Sequence, residues 1–144
     1  MIYIPHSVPS SKNSRIRTRS GKFIVSKAVR LWRANTLKDW SEKRFDFLLA
    51  CSSVETEPLL IGFHFIRHTK HKYDFINPAQ TIQDEMVTHK WIQDDNVDIM
   101  FPFPMLVNGS YTTFDKENAG VLIKVFKTLD EITINYKYDF DRTR

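Results

Sequence analysis

The feature that most constrains the fold is a helix-forming stretch that follows closely on a strand-forming one. Residues 59–65 (LLIGFHF) are rich in large apolar and aromatic side chains, as is typical of a buried strand. Asn77 and Pro78 then favour a helix start, because asparagine is a good N-cap and proline is accepted at the first helical position. The helix expected from Pro78 to about Lys90 carries apolar side chains at helical spacing, namely Ile82, Met86 and Val87.

A longer helix is expected nearer the N-terminus. Ser26 is a candidate N-cap for a helix that begins at Lys27 and reaches about Ser41 or beyond. Its apolar residues form an approximate stripe along one face, made of Val29, Leu31, Trp32, Leu37 and Trp40. At this spacing Trp32 is expected to pack in the core rather than against a base.

Strand patterns cover most of the remaining chain. They lie at residues 1–4, 111–114, 121–126 and 132–138. Residues 99–107 predict an edge strand or an irregular packed segment, because their two prolines lack a ladder N–H. Asn108-Gly109 predicts a turn into a short return strand. The charged residues 139–144 are expected to be frayed. We therefore expect a single α+β domain over residues 1–144, a mixed β-sheet packed with a long N-terminal helix and a shorter helix that carries part of an acidic cluster.

Residues 73–98 are acidic, although the chain as a whole carries a net charge of +4. They contain one basic side chain, Lys90, and six carboxylates: Asp74, Asp84, Glu85, Asp94, Asp95 and Asp98. The loop at residues 93–96 can fold back toward Asp74. Carboxylates from a strand end, a helix face and a loop would then form a site for a hard cation. Solvated turns and an ordinary helix surface are the alternative.

The strand and helix repeats predict which side chains of this stretch point the same way. If residues 73–76 are extended, Asp74 and Ile76 point to the same side and Ile76 faces away from the core. Side chains four residues apart on the following helix share another face, namely Gln80, Asp84 and Thr88.

The first part of the chain is basic. Through residue 38 there are nine Lys or Arg and no acid. Arg15, Arg17 and Arg19 alternate, so in an extended arm at about residues 10–25 they share one side. Ser20-Gly21 predicts a turn that leads into a return strand. Such an arm can lie along a phosphate backbone, where arginine contributes affinity without sequence information. A merely solvated basic face is the alternative.

A second basic segment, residues 67–72 (RHTKHK), directly precedes Asp74. Lys72 lies only two residues from Asp74, so basic side chains would stand beside a cation held by the carboxylates. We therefore expect Lys70 and Lys72 to contact phosphate, and a charged surface turn is the alternative.

Other functional classes are excluded by what the sequence lacks. Cys51 is the single cysteine, so no internal disulfide forms, and its apolar surroundings predict a buried thiol. His64 and His68 have a metal-type spacing, but in a strand they would not share a helix face. No apolar run of transmembrane length and no signal-peptide pattern occurs, so we expect no membrane association and a cytoplasmic location.

The acidic stretch resembles the active-site segment of the RusA family of Holliday junction resolvases. That family carries an Asp-x-Asp-Asn start, a helix with a central Asp, and an Asp-Asp pair beyond the helix. Asp74 falls on the first Asp, Asn77 on the Asn and Asp84 on the helical Asp. Asp94-Asp95 falls on the pair, and the block aligns without a gap.

The resemblance has two departures and a weaker extension. Ile76 occupies the second Asp position, and Gln80 lies where the family can carry a helical Lys that assists catalysis. Residues 9–13 (PSSKN) resemble the family's Pro-x-Ser-x-Asn opening, and Val25-Ser26 with Trp32-Arg33 fits the start of its first helix. The similarity covers most of residues 1–107.

The resemblance implies a homodimer whose two active sites hydrolyse phosphodiesters in the symmetric strands of a four-way DNA junction, and residues 99–107 are a candidate dimer surface. It implies Mg²⁺ as cofactor, with Mn²⁺ as a possible substitute. Asp74 and Asp95 would be direct ligands, Asp94 an alternative ligand, and Asn77, Gln80 and Asp84 would orient the site. DNA contacts would come from Lys12, Asn13, Arg15, Arg17, Arg19, Lys70 and Lys72.

Two other functions stay open. Because Ile76 replaces a family Asp, the chain could be a junction-binding protein with weak or no cleavage. A metal-dependent nuclease acting on other branched or flapped DNA is the third interpretation.

Overall fold

A five-stranded mixed sheet forms the centre of the fold. The structure, a computed structural model, describes residues 1–10, 15–54 and 57–143. The described residues form the strands β1 (Ile2–Pro5), β2 (Arg15–Arg17), β3 (Phe23–Val25), β4 (Leu59–Arg67), β5 (Met100–Pro104), β6 (Thr112–Phe114) and β7 (Gly120–Phe126). They also form the helices α1 (Lys27–Ser52) and α2 (Ile76–Thr88) and the 3-10 helices Leu129–Thr133 and Phe140–Thr143.

The sheet has the strand order β1-β7-β4-β5, and β6 also pairs with β4. β7 is antiparallel to both β1 and β4, whereas β5 and β6 run parallel to β4. The α+β class with a mixed sheet, a long N-terminal helix and a shorter second helix is therefore confirmed. β5 lies at the sheet edge, as its prolines predicted.

β6 does not return along β5. The Asn108-Gly109 turn is present, with φ angles of 49° and 81° that suit a two-residue hairpin, and Val107 and Ser110 pair across it. The chain then leaves the turn so that Thr112 pairs with Phe65 in parallel. Because β5 covers only the first part of β4, β6 satisfies edge backbone groups that β5 leaves unpaired.

Alternation along β4 gives the sheet a core on each face. Ile61, Phe63 and Phe65 pack with buried residues of the two helices, among them Trp32, Trp40, Phe47, Ile82 and Met86. Gly62 lies on the opposite face, where an added Cβ would stand 2.4 Å from the Phe126 ring. A glycine is therefore required at this close approach.

α1 begins as the sequence predicted and extends further. The Ser26 hydroxyl accepts a hydrogen bond from the Val29 N–H at 3.3 Å, and the helix continues to Ser52. The apolar stripe is partly wrong, because Leu31 and Leu37 are exposed. A polar residue of α1, Thr36, is buried instead: its hydroxyl donates to the Trp32 carbonyl and accepts from Trp40 Nε1. Trp32 is in the core, as expected.

The C-terminal segment covers the second face of the sheet without forming the expected strand at residues 132–138. Leu129–Thr133 is a 3-10 helix, and Tyr136 makes a single bridge to Val107. Side chains fix the rest, because Asn135 accepts from the Gly109 N–H and the Asn108 side chain bonds the Tyr138 backbone. At the tail, expected to be frayed, Phe140–Thr143 forms a 3-10 turn.

Cys51 lies near the end of α1 and is half-buried rather than fully buried. Burial raises the pKa of its thiol to about 11, so the side chain stays protonated at neutral pH. Among the described residues, no helix combines the length and apolar character needed to cross a membrane.

Candidate functional site

The start of α2 differs from the expected geometry. The helix begins at Ile76 rather than Pro78, so residues 74 and 76 do not share an extended strand. Phe75, rather than Asn77, stands at the N-cap position, and no side chain caps the helix. Asp74 contacts the start of the helix nonetheless: its carboxylate lies 3.4 Å from the Ile76 N–H, and its carbonyl accepts from the Asn77 N–H. Pro78 becomes the third helical residue, where the missing N–H has no intrahelical partner to lose. Ile76 is 71% exposed, so it lies outside the core, as expected.

Gln80 connects two carboxylates, one on α2 and one in the loop that follows it. Its Nε2 atom donates to Asp84 Oδ1 and to Asp95 Oδ2, both at 2.9 Å. The Thr88 hydroxyl donates to the Asp84 carbonyl. The predicted face is therefore confirmed, and the loop at residues 93–96 folds back onto α2, where it contacts Gln80.

A C-terminal cap of α2 anchors this loop. Lys90 has a φ of 59°, the Lys90 N–H bonds the Val87 carbonyl, and the Trp91 N–H bonds the Met86 carbonyl at 2.8 Å. This is the Schellman arrangement. Trp91 and Ile92 are buried, and Trp91 Nε1 donates to the Trp40 carbonyl. The core thus holds the chain only a few residues before Asp95.

Asp94 is exposed at the outer side of the loop. Its two oxygens accept from the Asn96 side-chain amide and from the Asp95 N–H. These hydrogen bonds, the one from Asn96 first, lower the pKa of the Asp94 carboxyl. Asp94 therefore stays ionised to lower pH than an ordinary aspartate.

Glu85 does not belong to the acidic surface. Its side chain is buried and bonds Arg33 Nε at 2.7 Å, which ties α2 to α1. His89 Nε2 lies 3.1 Å from its other oxygen. One of the six carboxylates of the acidic stretch is therefore used in packing.

Asp74 and Asn77 line a mixed-charge groove of about 260 Å³. Its other polar walls are Ser7, Ser10, Arg67, Lys72 and Tyr73. The loop after β1 closes one side, because the Pro9 carbonyl accepts from the Thr81 hydroxyl of α2. Acidic and basic side chains thus share one groove, which agrees with the expected closeness of Lys72 to Asp74.

Sequence reasoning missed Arg67 and Tyr73 as members of this groove. The Arg67 guanidinium lies 4.3 Å from the centre of the Tyr73 ring and donates to the His71 carbonyl. Burial raises the pKa of the Tyr73 hydroxyl, while its hydrogen bond to Thr112 and the Arg67 charge oppose that rise. The sequence did contain one indication of this groove: the apolar strand pattern ends in an arginine, Arg67, next to the basic segment.

The basic arm is a small antiparallel hairpin of β2 and β3. Arg17 is exposed in β2, but Arg19 lies in the turn rather than on an extended strand, so the expectation that the three arginines share one side is wrong for Arg19. Arg15 pairs with Val25 through the backbone. Lys12 and Asn13 lie outside the described residues.

The described residues contain no group of three or more His, Cys, Asp or Glu side chains placed to hold a metal ion. Asp84 and Asp95 both accept from the Gln80 amide, whereas the Asp74 carboxylate faces the Ile76 N–H at the start of α2. Magnesium is often bound by one or two carboxylates, with water and substrate phosphate completing its coordination. The carboxylates present fit a site of that open kind and do not fit an all-protein cage.

Comparison with known proteins adds no further constraint on this site. No protein-family model matches the chain, and no curated protein matches it.

Proposed function

We propose that this chain is a metal-dependent endodeoxyribonuclease that resolves four-way DNA junctions by phosphodiester hydrolysis, the activity that its resemblance to the RusA family implies. The observation that carries the proposal is the mixed-charge groove, where Asp74 and Asn77 lie with Arg67 and Lys72. A phosphodiesterase site needs cations for the phosphate next to carboxylates for a metal. A DNA substrate of this kind would place the protein in the cytoplasm of a bacterium or of a phage-infected host.

Each group in the site has a distinct role in this proposal. Arg67 and Lys72 bind the phosphate that enters the groove, and Arg67 is held in place by the Tyr73 ring. Asp74 and Asp95 are the metal ligands, and Asp94 is the alternative ligand. Mg²⁺ held by these carboxylates, or Mn²⁺ in its place, would supply an activated water and would stabilise the leaving 3′ oxygen.

Gln80 and Asp84 act through Asp95. The amide of Gln80 holds both carboxylates at 2.9 Å, so the side chain of Asp95 is oriented before substrate arrives. Orientation of this kind reduces the entropy lost when the reacting groups assemble.

A homodimer suits a junction with twofold symmetry. The sheet edge offers an apolar surface, because Phe101 is exposed and Phe103 is half-buried in β5. Pro102 and Pro104 carry no N–H, so a second copy would meet this edge through side chains rather than through an extended ladder. Light scattering at micromolar concentration should give a dimer mass, and a monomer mass would contradict this part of the proposal.

Junction binding with weak or no cleavage is the second candidate function. Ile76 supplies no ligand at the start of α2, and the described residues lack a trio of metal-ligating side chains. These observations favour a weakened site.

A junction-cleavage assay with isosteric variants tests the two functions. We expect Mg²⁺-dependent nicking that Asp74→Asn or Asp95→Asn abolishes, while junction binding in gel shifts persists. Asp46→Asn, which removes an exposed carboxylate from α1, is the matched control. Full activity in excess chelator would overturn metal dependence. Binding by the parent chain without nicking would favour the second function.

A further inference from the structure

A basic pocket of about 490 Å³ adjoins the mixed-charge groove. Arg67, Lys72 and Tyr73 line both depressions, so they separate the two with a common wall. The far side of the basic pocket is formed by β6, with Thr112, Thr113 and Phe114. A nucleic-acid strand that enters the groove can therefore continue into the pocket without leaving the protein surface.

Backbone pairing fixes the aromatic floor of this pocket. Phe114 pairs with Arg67 in the parallel register of β6 and β4, and the Asp115 N–H extends the pairing to the Arg67 carbonyl. Side chains at paired positions emerge on the same face of a sheet. Phe114 therefore lies on the face that carries Phe65 and the helices, and not on the face covered by the C-terminal segment.

Phe114 is 44% exposed although its backbone is paired with β4. An exposed aromatic ring on a rigid strand can stack on a base without a large entropy loss. The Lys70 ammonium lies 5.0 Å from the centre of this ring, and Lys72 lines the same pocket. Proteins bind single-stranded nucleic acid with this combination of side chains, because the cations contact the phosphates and the aromatic ring stacks on a base.

We propose that the basic pocket binds an unpaired nucleotide next to the strand held in the mixed-charge groove, with its base stacked on Phe114 and its phosphate at Lys70. This inference rests on the proposed function, because the strand must be DNA at a branch point. It predicts that binding opens a base pair at the branch, since a base stacked on Phe114 cannot remain in the duplex. Stacking uses the face of the base, so the pocket accepts every base.

The fluorescence of 2-aminopurine tests stacking directly. A junction with 2-aminopurine at the branch should lose fluorescence when the parent protein binds. Phe114→Leu should abolish this loss and weaken binding to single-stranded DNA about tenfold, whereas Phe114→Tyr should preserve both. Phe45→Leu is the matched control, because Phe45 is a 70% exposed phenylalanine on α1.

Lys70→Gln separates the phosphate contact from stacking. It should lower the salt slope of binding by about one unit and leave the fluorescence loss unchanged. Phe114→Leu should leave the salt slope unchanged, because it removes no cation.

The outcomes distinguish this inference from the proposed function. Junction cleavage without a fluorescence change, or a change that Phe114→Leu retains, would overturn the pocket assignment and leave the nuclease standing. Binding of free 2-aminopurine nucleotide as tight as that of the strand would show a mononucleotide site instead of a branch subsite. Failure of the parent chain to bind any junction or single strand would overturn both proposals.

Discussion

Gln80 donates to Asp95 at 2.9 Å and so connects the surface of α2 to the loop that follows it. The same amide nitrogen donates to Asp84, so two carboxylates are held by one neutral group. In the RusA-like alignment this is the position where the family can carry a lysine. A neutral amide supplies the hydrogens but not the charge, so the two carboxylates keep their mutual repulsion.

Gln80→Glu should reveal this repulsion. Three carboxylates would then meet without a donor, and the free energy of unfolding should fall by about 1 kcal/mol at low salt, since a hydrogen bond to a charged group is lost at a partly exposed site. Mg²⁺ should restore stability if the three carboxylates bind it. Urea unfolding with and without Mg²⁺ measures both effects. Unchanged stability would mean that Gln80 does not bridge the pair in solution.

Ile76→Asp should be tolerated and should tighten metal binding. The side chain is 71% exposed and lies in the first turn of α2, where a negative charge stabilises the helix by about 0.3–1 kcal/mol. A carboxylate there adds an oxygen ligand near Asp74. Calorimetric titration with Mg²⁺ should give a lower Kd, and half-maximal cleavage should need less Mg²⁺. A variant that needs as much Mg²⁺ as the parent would exclude residue 76 from the metal site.

Replacing Arg15, Arg17 and Arg19 by alanine should weaken binding to all junction sequences alike. Phosphate contacts carry no sequence information, and each one lost should flatten the salt dependence by about one unit of slope. Binding constants at several salt concentrations give the slope. Three exposed lysines outside the arm serve as the control set, namely Lys38, Lys127 and Lys137. Equal slopes in the two triple variants would show that the arm does not contact DNA.

His64 should make the fold sensitive to acid. The ring is buried, with Nδ1 2.8 Å from the Met105 carbonyl and Nε2 2.8 Å from the Thr113 hydroxyl. The carbonyl can only accept, so Nδ1 carries the proton and Nε2 accepts from Thr113. Burial lowers the pKa of His64, and the hydrogen bond to Met105 opposes part of that shift.

The sign of the pH effect follows from proton linkage. Below about pH 6.5 the unfolded chain binds a proton that the folded imidazole resists, so the free energy of unfolding should decrease as pH falls. Urea unfolding between about pH 7 and about pH 5 should show this loss, and His64→Gln should flatten it. His71→Gln, at an exposed position, should retain the parent profile. A parent profile without any decrease would contradict the prediction.

Local chemistry determined much of this protein from the sequence alone. Ser26 caps α1 because its hydroxyl reaches an N–H three residues away, and Gln80 meets Asp84 because residues four apart share a helix face. The Asn108-Gly109 turn forms because both residues tolerate positive φ. Each of these features depends on interactions within a few residues, so a short stretch of sequence contains all the partners.

Tertiary structure decided the features whose partners are distant in the chain. β6 pairs with β4 because β5 leaves part of that edge unsatisfied, and residues 132–138 cover the sheet instead of extending it. Phe114 joins Arg67 and Tyr73 only because β6 pairs with β4, so local periodicity could not reveal the pocket that the three residues line. A sequence pattern indicates which face of a helix or strand is buried. Only the tertiary packing determines which other element lies against that face.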